Sequence, residues 1–149
     1  MKTFAEKAYQ YTQIESSKSQ EKIELMLEEL GIKDVRFTKT GGNYMVEFLV
    51  NLRKGEQARK VRIKVPVEDT WKKGKEGNKD QLFRVLFYNL KNRFVSIVSG
   101  LKEFEDEFLS DLVIIHQGKE VRVGDVLAPQ YKALIKNSSI PVMHINQKN

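Results

Sequence analysis

The sequence predicts an α+β fold: a helix, a three-stranded antiparallel sheet, a long core helix, a short helix, a small hairpin and a C-terminal helix. Three observations carry this expectation. Apolar residues recur at helical spacing in separate blocks, they alternate with polar residues in a block between, and glycines or polar pairs divide one block from the next. With 149 residues, 40% of them hydrophobic and 31% charged, the chain is long enough to bury one core, and a single domain over residues 1–149 is expected.

Residues Met1–Glu15 show no clean period, although Phe4, Tyr9 and Tyr11 point to an N-terminal segment, residues 1–17, that docks. Ser17 and Gln20 resemble a capping box ahead of Ile23, Met26, Leu27 and Leu30, which predicts a helix over Ser19–Leu30 ended by Gly31. Val35 and Phe37 then alternate with Arg36 and Thr38, and Gly41-Gly42-Asn43 offers a tight turn. From Asn43 to Leu52, Tyr44, Val46, Phe48 and Val50 form one face and Met45, Leu49 and Leu52 the other, the pattern of a strand covered on both sides. After the turn at Lys54-Gly55-Glu56, Val61, Ile63, Val65 and Val67 alternate with Lys60, Arg62 and Lys64, so the third strand is expected to be half exposed.

The polar stretch Glu68–Lys79 reads as a mobile loop. Leu82, Phe83, Leu86, Phe87, Leu90, Phe94, Ile97 and Val98 outline a long helix over Lys79–Ser99, ended by Gly100. Leu101, Phe104, Phe108 and Leu112 predict a second, shorter helix with Glu103, Asp106 and Glu107 on its opposite side. A hairpin follows over Ile114–Val123 around Gln117-Gly118, then a helix over Asp125–Lys136 with Pro129 near its first turn and Leu127, Tyr131, Leu134 and Ile135 facing inward. Residues 140–149 read as an extended tail.

Several function classes lose support at this level. The chain has no cysteine, which removes disulfides, thiolate metal sites and cysteine nucleophiles, and favours a reducing, cytoplasmic setting. Met1–Ser19 lacks the apolar core of a signal peptide, and no apolar run approaches the roughly 20 residues of a membrane span. There is no glycine-rich phosphate loop, nucleophile elbow or zinc-binding histidine pair. His116 beside a hairpin turn and His144 in the tail are the only imidazoles. A non-enzymatic protein without metal or cofactor is therefore expected.

The net charge of +6 is uneven: residues 53–93 hold thirteen Lys/Arg against five Asp/Glu, an excess of eight. Within that zone Lys60, Arg62 and Lys64 leave one face of a strand about 7 Å apart, near the phosphate spacing of a nucleic-acid strand. Arg36, Arg53, Lys54 and Arg59 surround the row. Its other reading is an edge strand guarded by cations against aggregation. Trp71 with Lys72, Lys73 and Lys75 forms a second candidate, a ring able to stack on a base beside ammonium groups for phosphate, or a tryptophan folded back onto the core. A third cluster, Glu103, Glu105, Asp106, Glu107 and Asp111, has carboxylates fit for magnesium or acid-base work, yet its helical spacing points them to solvent.

The features Ser99-Gly100, Phe104 to Leu109, Gly118, Val123 to Pro129 and Ile140-Pro141-Val142 give the second half a resemblance to small bacteriophage and prophage proteins. The resemblance implies a mobile-element protein acting in a host cytoplasm and brings no activity with it. The order helix, three strands, helix over Ser19–Ser99 is also similar in topology to a double-stranded RNA-binding domain. In that family a lysine cluster opens the second helix, whereas Lys72, Lys73 and Lys75 precede the helix predicted here by several residues.

Together these features predict nucleic-acid binding, chiefly through phosphate, by Arg36, Arg53, Lys54, Arg59, Lys60, Arg62, Lys64, Trp71, Lys72, Lys73 and Lys75. The alternatives are a protein-interaction module for an acidic partner and a nucleotide-binding pocket. A homo-oligomer is left open.

Overall fold

A computed structural model describes residue 12 and residues 14–40, 43–51, 54–67 and 76–139. The elements are α1 (Ser16–Glu29), β1 (Val35–Thr40), β2 (Asn43–Val50), β3 (Arg59–Val65), α2 (Glu76–Val98), α3 (Phe104–Phe108), a 3₁₀ turn at Leu109–Asp111, β4 (Val113–His116), β5 (Lys119–Arg122) and α4 (Val123–Asn137). The architecture is α+β, as the pattern predicts. Two antiparallel pairings build a three-stranded sheet in the order β1-β2-β3, and β4 and β5 form a separate hairpin.

Register follows from the alternation of apolar side chains. Val35 stands opposite Phe48, and Phe48 opposite Val61, so the apolar sets of all three strands share one face. α1 and α2 cover that face. Ile23 and Leu27 of α1, and Phe83, Leu86, Leu90 and Phe94 of α2, meet Val46, Phe48, Val50, Val61 and Val65 in one buried cluster. Phe104 and Phe108 of α3 close its end, with Phe108 edge-on to Phe48 at 6.2 Å and 5.1 Å from Phe94 between ring centroids.

Both ends of α1 have identifiable partners. The Ser16 N–H donates to Asp80 Oδ1 of α2 at 2.7 Å, which starts the helix three residues before the predicted Ser19. The Ser17 capping box does not form: the capping position is Glu15, which makes no side-chain cap. At the other end Gly31 donates to Glu28 O and Ile32 to Leu27 O, both at 2.9 Å, closing the helix as expected. α2 starts at Glu76, inside the stretch read as a loop, so residues 76–79 are helical. The proposed docking segment, the Gly41-Gly42 turn, the remainder of the loop over 68–75 and the tail over 140–149 lie wholly or almost wholly outside the described residues.

The hairpin turns at Gln117-Gly118, whose φ angles of 53° and 76° are the two positive values a two-residue connection requires. It joins the sheet through an isolated bridge between Leu112, just before β4, and Val61, and Arg122 Nε donates to Arg62 O at 3.1 Å. Asp111 fastens this join: its carboxylate accepts from Arg93 of α2 at 2.8 Å and from Arg122 of β5 at 2.7 Å. The first turn of α4 then presses on the 3₁₀ turn. A Cβ at Gly124 would stand 2.9 Å from Ser110 O, so only glycine permits this approach.

Three further expectations are corrected. α4 buries none of its residues, and Leu127, Tyr131, Leu134 and Ile135 are exposed instead of inward. Pro129 is the seventh residue of a helix that begins at Val123, not a first-turn residue. The outer face of β2 is not an apolar surface sealed from water either, because Leu49 is exposed and Glu47 sits between it and Met45.

Candidate nucleic-acid interface

Lys60, Arg62 and Lys64 do leave the same outer face of the sheet, as alternation requires. Each of them has a carboxylate partner. Cross-strand register sets Glu47 opposite Arg62, and Glu47 Oε2 lies 3.0 Å from Arg62 and 3.3 Å from Lys60 Nζ. Glu120 of β5 reaches the same two cations at 3.1 and 3.3 Å, and Asp125 of α4 holds Lys64 Nζ at 3.2 Å. Arg59 pairs with Glu56 and with Glu105 of α3. Three carboxylates thus neutralise the row, and they come from the neighbouring strand and from the hairpin-helix unit folded around the β3 edge.

The energetic centre of this cluster is Glu47, whose side chain is 12% exposed. Burial pushes its carboxyl up, but hydrogen bonds and charge from Arg62 and then Lys60 outweigh that and leave it below its ordinary value. The carboxylate is therefore ionised and committed to these cations. A phosphate approaching the row would have to displace it.

The remaining residues of the predicted site divide into three groups. Arg36 is exposed on the same outer face, beside Glu47 in register, and Lys54 is exposed in the turn before β3. Arg53, Trp71, Lys72, Lys73 and Lys75 lie outside the described residues. The acidic candidates also find internal partners. The Glu103 and Asp106 side chains cap the start of α3, with the Glu103 N–H donating to Asp106 Oδ2 at 2.9 Å. Glu105 meets Arg59 and Asp111 meets two arginines. Among the described residues, no three histidine or carboxylate side chains gather as a metal site.

A different basic locus lies at the end of the sheet where the β1–β2 connection and α2 begin. Lys39 of β1 stands opposite Tyr44 in register, with its Nζ 5.8 Å from the Tyr44 ring centroid. Lys79, in the first turn of α2, approaches the same ring to 4.8 Å. Neither ammonium has a carboxylate partner among the described residues, and each lies over the Tyr44 ring, Lys39 being exposed and Lys79 half-buried. The lysine segment Lys72, Lys73 and Lys75 runs directly into α2, since the helix starts at Glu76. α1, whose first residue Ser16 donates to Asp80 next to Lys79, carries Glu21, Glu24, Glu28 and Glu29 against Lys18 and Lys22.

Sequence reasoning missed Lys39 and Lys79 because an aromatic support five residues away for one and thirty-five for the other leaves no local motif. The neutralising role of Glu47 had a readable signal: an acid in the middle of a strand, in register with Arg36 on one side and Arg62 on the other. Among the described residues no helix is long and apolar enough to cross a membrane. Comparison with family models, with curated proteins and with solved structures finds no match for this chain.

Proposed function

We propose that the protein is a non-enzymatic nucleic-acid-binding protein that grips phosphates at the Tyr44 end of the sheet instead of along β3. The observation that carries this reading is the convergence of Lys39 and Lys79 on one tyrosine ring without a carboxylate partner among the described residues. Lys72, Lys73 and Lys75 precede the same helix in sequence. The first turn of a 23-residue helix adds the positive end of its dipole. Phosphate is the chemistry these donors suit. The phage-like features of the second half support a role in a host cytoplasm.

Such binding rests on counterion release, so affinity falls steeply with salt and depends little on sequence. Anisotropy titrations against single- and double-stranded DNA and RNA test it. Replacing Lys39 and Lys79 by Ala together is expected to reduce affinity about tenfold at low salt and to lower the salt slope by about two, one unit per lost phosphate contact. Lys64→Ala, which removes a cation already paired with Asp125, leaves both unchanged. Absence of binding to all four probes at low salt, or equal sensitivity to Lys64→Ala, overturns the reading.

A further inference from the structure

The hairpin and α4, residues 113–137, contribute no side chain to the buried cluster or to the partly buried residues packed against it. Their acids are spent on the sheet instead. The segment contains two carboxylates, and both lie on the β3 row: Glu120 at 3.3 Å from Lys60 and 3.1 Å from Arg62, and Asp125 at 3.2 Å from Lys64. Cations two residues apart on a strand stand about 7 Å from each other, near the interval of phosphates along a nucleic-acid strand. The two carboxylates thus meet the row as phosphates of a bound strand would. With side chains 48% and 49% exposed, they make pairs that water reaches and salt screens.

Register sets the row beside the Tyr44 end. Val65 pairs with Tyr44 and Lys64 with Met45, so Lys64 is the member of the row nearest that end, on the outer face of the sheet. A strand gripped by Lys39 and Lys79 and continuing round the end of the sheet would meet Lys64 first, then Arg62 and Lys60. Asp125 is the one carboxylate paired with Lys64 among the described residues, whereas Arg62 and Lys60 also share Glu47 within the sheet. Without Glu120 and Asp125 the row would hold three cations against one carboxylate.

We propose that Glu120 and Asp125 form an autoinhibitory contact, standing in for phosphate on β3 and confining a bound strand to the Tyr44 end, a regulation that rests on the nucleic-acid-binding reading above. The hairpin and α4 then limit how much of a strand the protein covers.

Anisotropy titration of the full-length chain with labelled single strands of about four and about twenty nucleotides tests this, the long one being able to reach β3 from the Tyr44 end. Glu120→Gln with Asp125→Asn is expected to raise affinity for the long strand about tenfold at low salt and to leave the short strand unchanged. The salt slope of the long strand steepens by about two, one for Lys64 and one for the surplus of Lys60 and Arg62 over Glu47. Asp125→Asn alone steepens it by about one. Both positions are about half exposed, so the variants keep the circular dichroism spectrum of the parent. Lys64→Ala, silent in the parent, cancels the gain of Asp125→Asn. Glu24→Gln with Glu28→Gln removes the same charge from exposed positions of α1 and serves as the control. An equal gain in that control, a gain indifferent to Lys64→Ala, no gain at all, or no binding of either strand by parent and variants overturns the proposal. If Lys39→Ala with Lys79→Ala leaves the parent's affinity unchanged while the double variant still gains through Lys64, the Tyr44 site falls and the block on β3 stands.

Discussion

α2 and α4 present apolar residues at the same helical spacing but meet different surroundings. In α2, Phe83, Leu86, Leu90 and Phe94 are at most 7% exposed, pressed between α1 and the sheet, whereas the stripe of α4 faces water. The two helices also differ in how they are fixed. α2 is held by apolar packing along much of its length, while α4 is fastened at its first turn by Gly124 against Ser110 and by ion pairs of Arg122 and Asp125. Periodicity thus reports that a face needs a cover without saying whether the cover belongs to the same chain. The part of the chain that lacks one is the part joined to the body by charge.

The strongest way to break this contrast is to cut that joint. Asp111 is 8% exposed at its side chain and serves two arginines at once. Asp111→Ala leaves Arg93 and Arg122 without that acceptor, and removing one member of a largely buried ion network costs about 3 kcal/mol. Urea unfolding measures the loss. Hydrogen exchange is expected to show residues 113–137 losing protection ahead of the strands of the sheet, because the hairpin and α4 are what Asp111 ties down. A second substitution, Arg122→Ala, then adds less than it costs alone, as coupled partners do.

A matched pair of truncations sharpens the same comparison. Leu90→Ala in α2 removes a fully buried side chain and is expected to destabilise by about 2–5 kcal/mol. Leu134→Ala in α4, at 70% exposure, should stay within about 0.5 kcal/mol. Thermal or urea denaturation of the two variants suffices, and a comparable loss in both would mean that α4 is covered in solution.

What the sequence made legible follows from range. Alternation at Lys60–Val65, the helical stripe from Leu82 to Ile97 and the Gln117-Gly118 turn are local patterns that land where the structure has them, whereas Val98, the last residue of the predicted stripe, is exposed. Element starts were less readable, since the first N–H of α1, on Ser16, donates to Asp80, 64 residues away, a partner no window along the chain contains. The candidate site suffered from the same limit. The shared face of Lys60, Arg62 and Lys64 was readable from a period of two, but Glu120 and Asp125, which pair with them, are about sixty residues distant. Cation spacing along a strand shows where charges point. Whether they are free depends on what folds over them.

The mildest test addresses that neutralisation through Glu47. Its carboxyl is held below the ordinary glutamate value by Arg62 and Lys60 despite the opposing effect of burial, so the folded protein binds a proton there less readily than the unfolded chain does. The stabilisation is accordingly complete above the unfolded value, about 4.3, and disappears as pH falls through the lower folded value. Glu47→Gln should reduce stability at neutral pH by about 1 kcal/mol, the scale of partly exposed ion pairs, and should flatten the acid limb of the stability profile. Urea midpoints for parent and variant between pH 6 and 3 measure this, and the two curves should converge at the acid end. If they stay parallel throughout, Glu47 is not the carboxylate that ties the β3 cations down, and those cations return to the count of charges open to a phosphate.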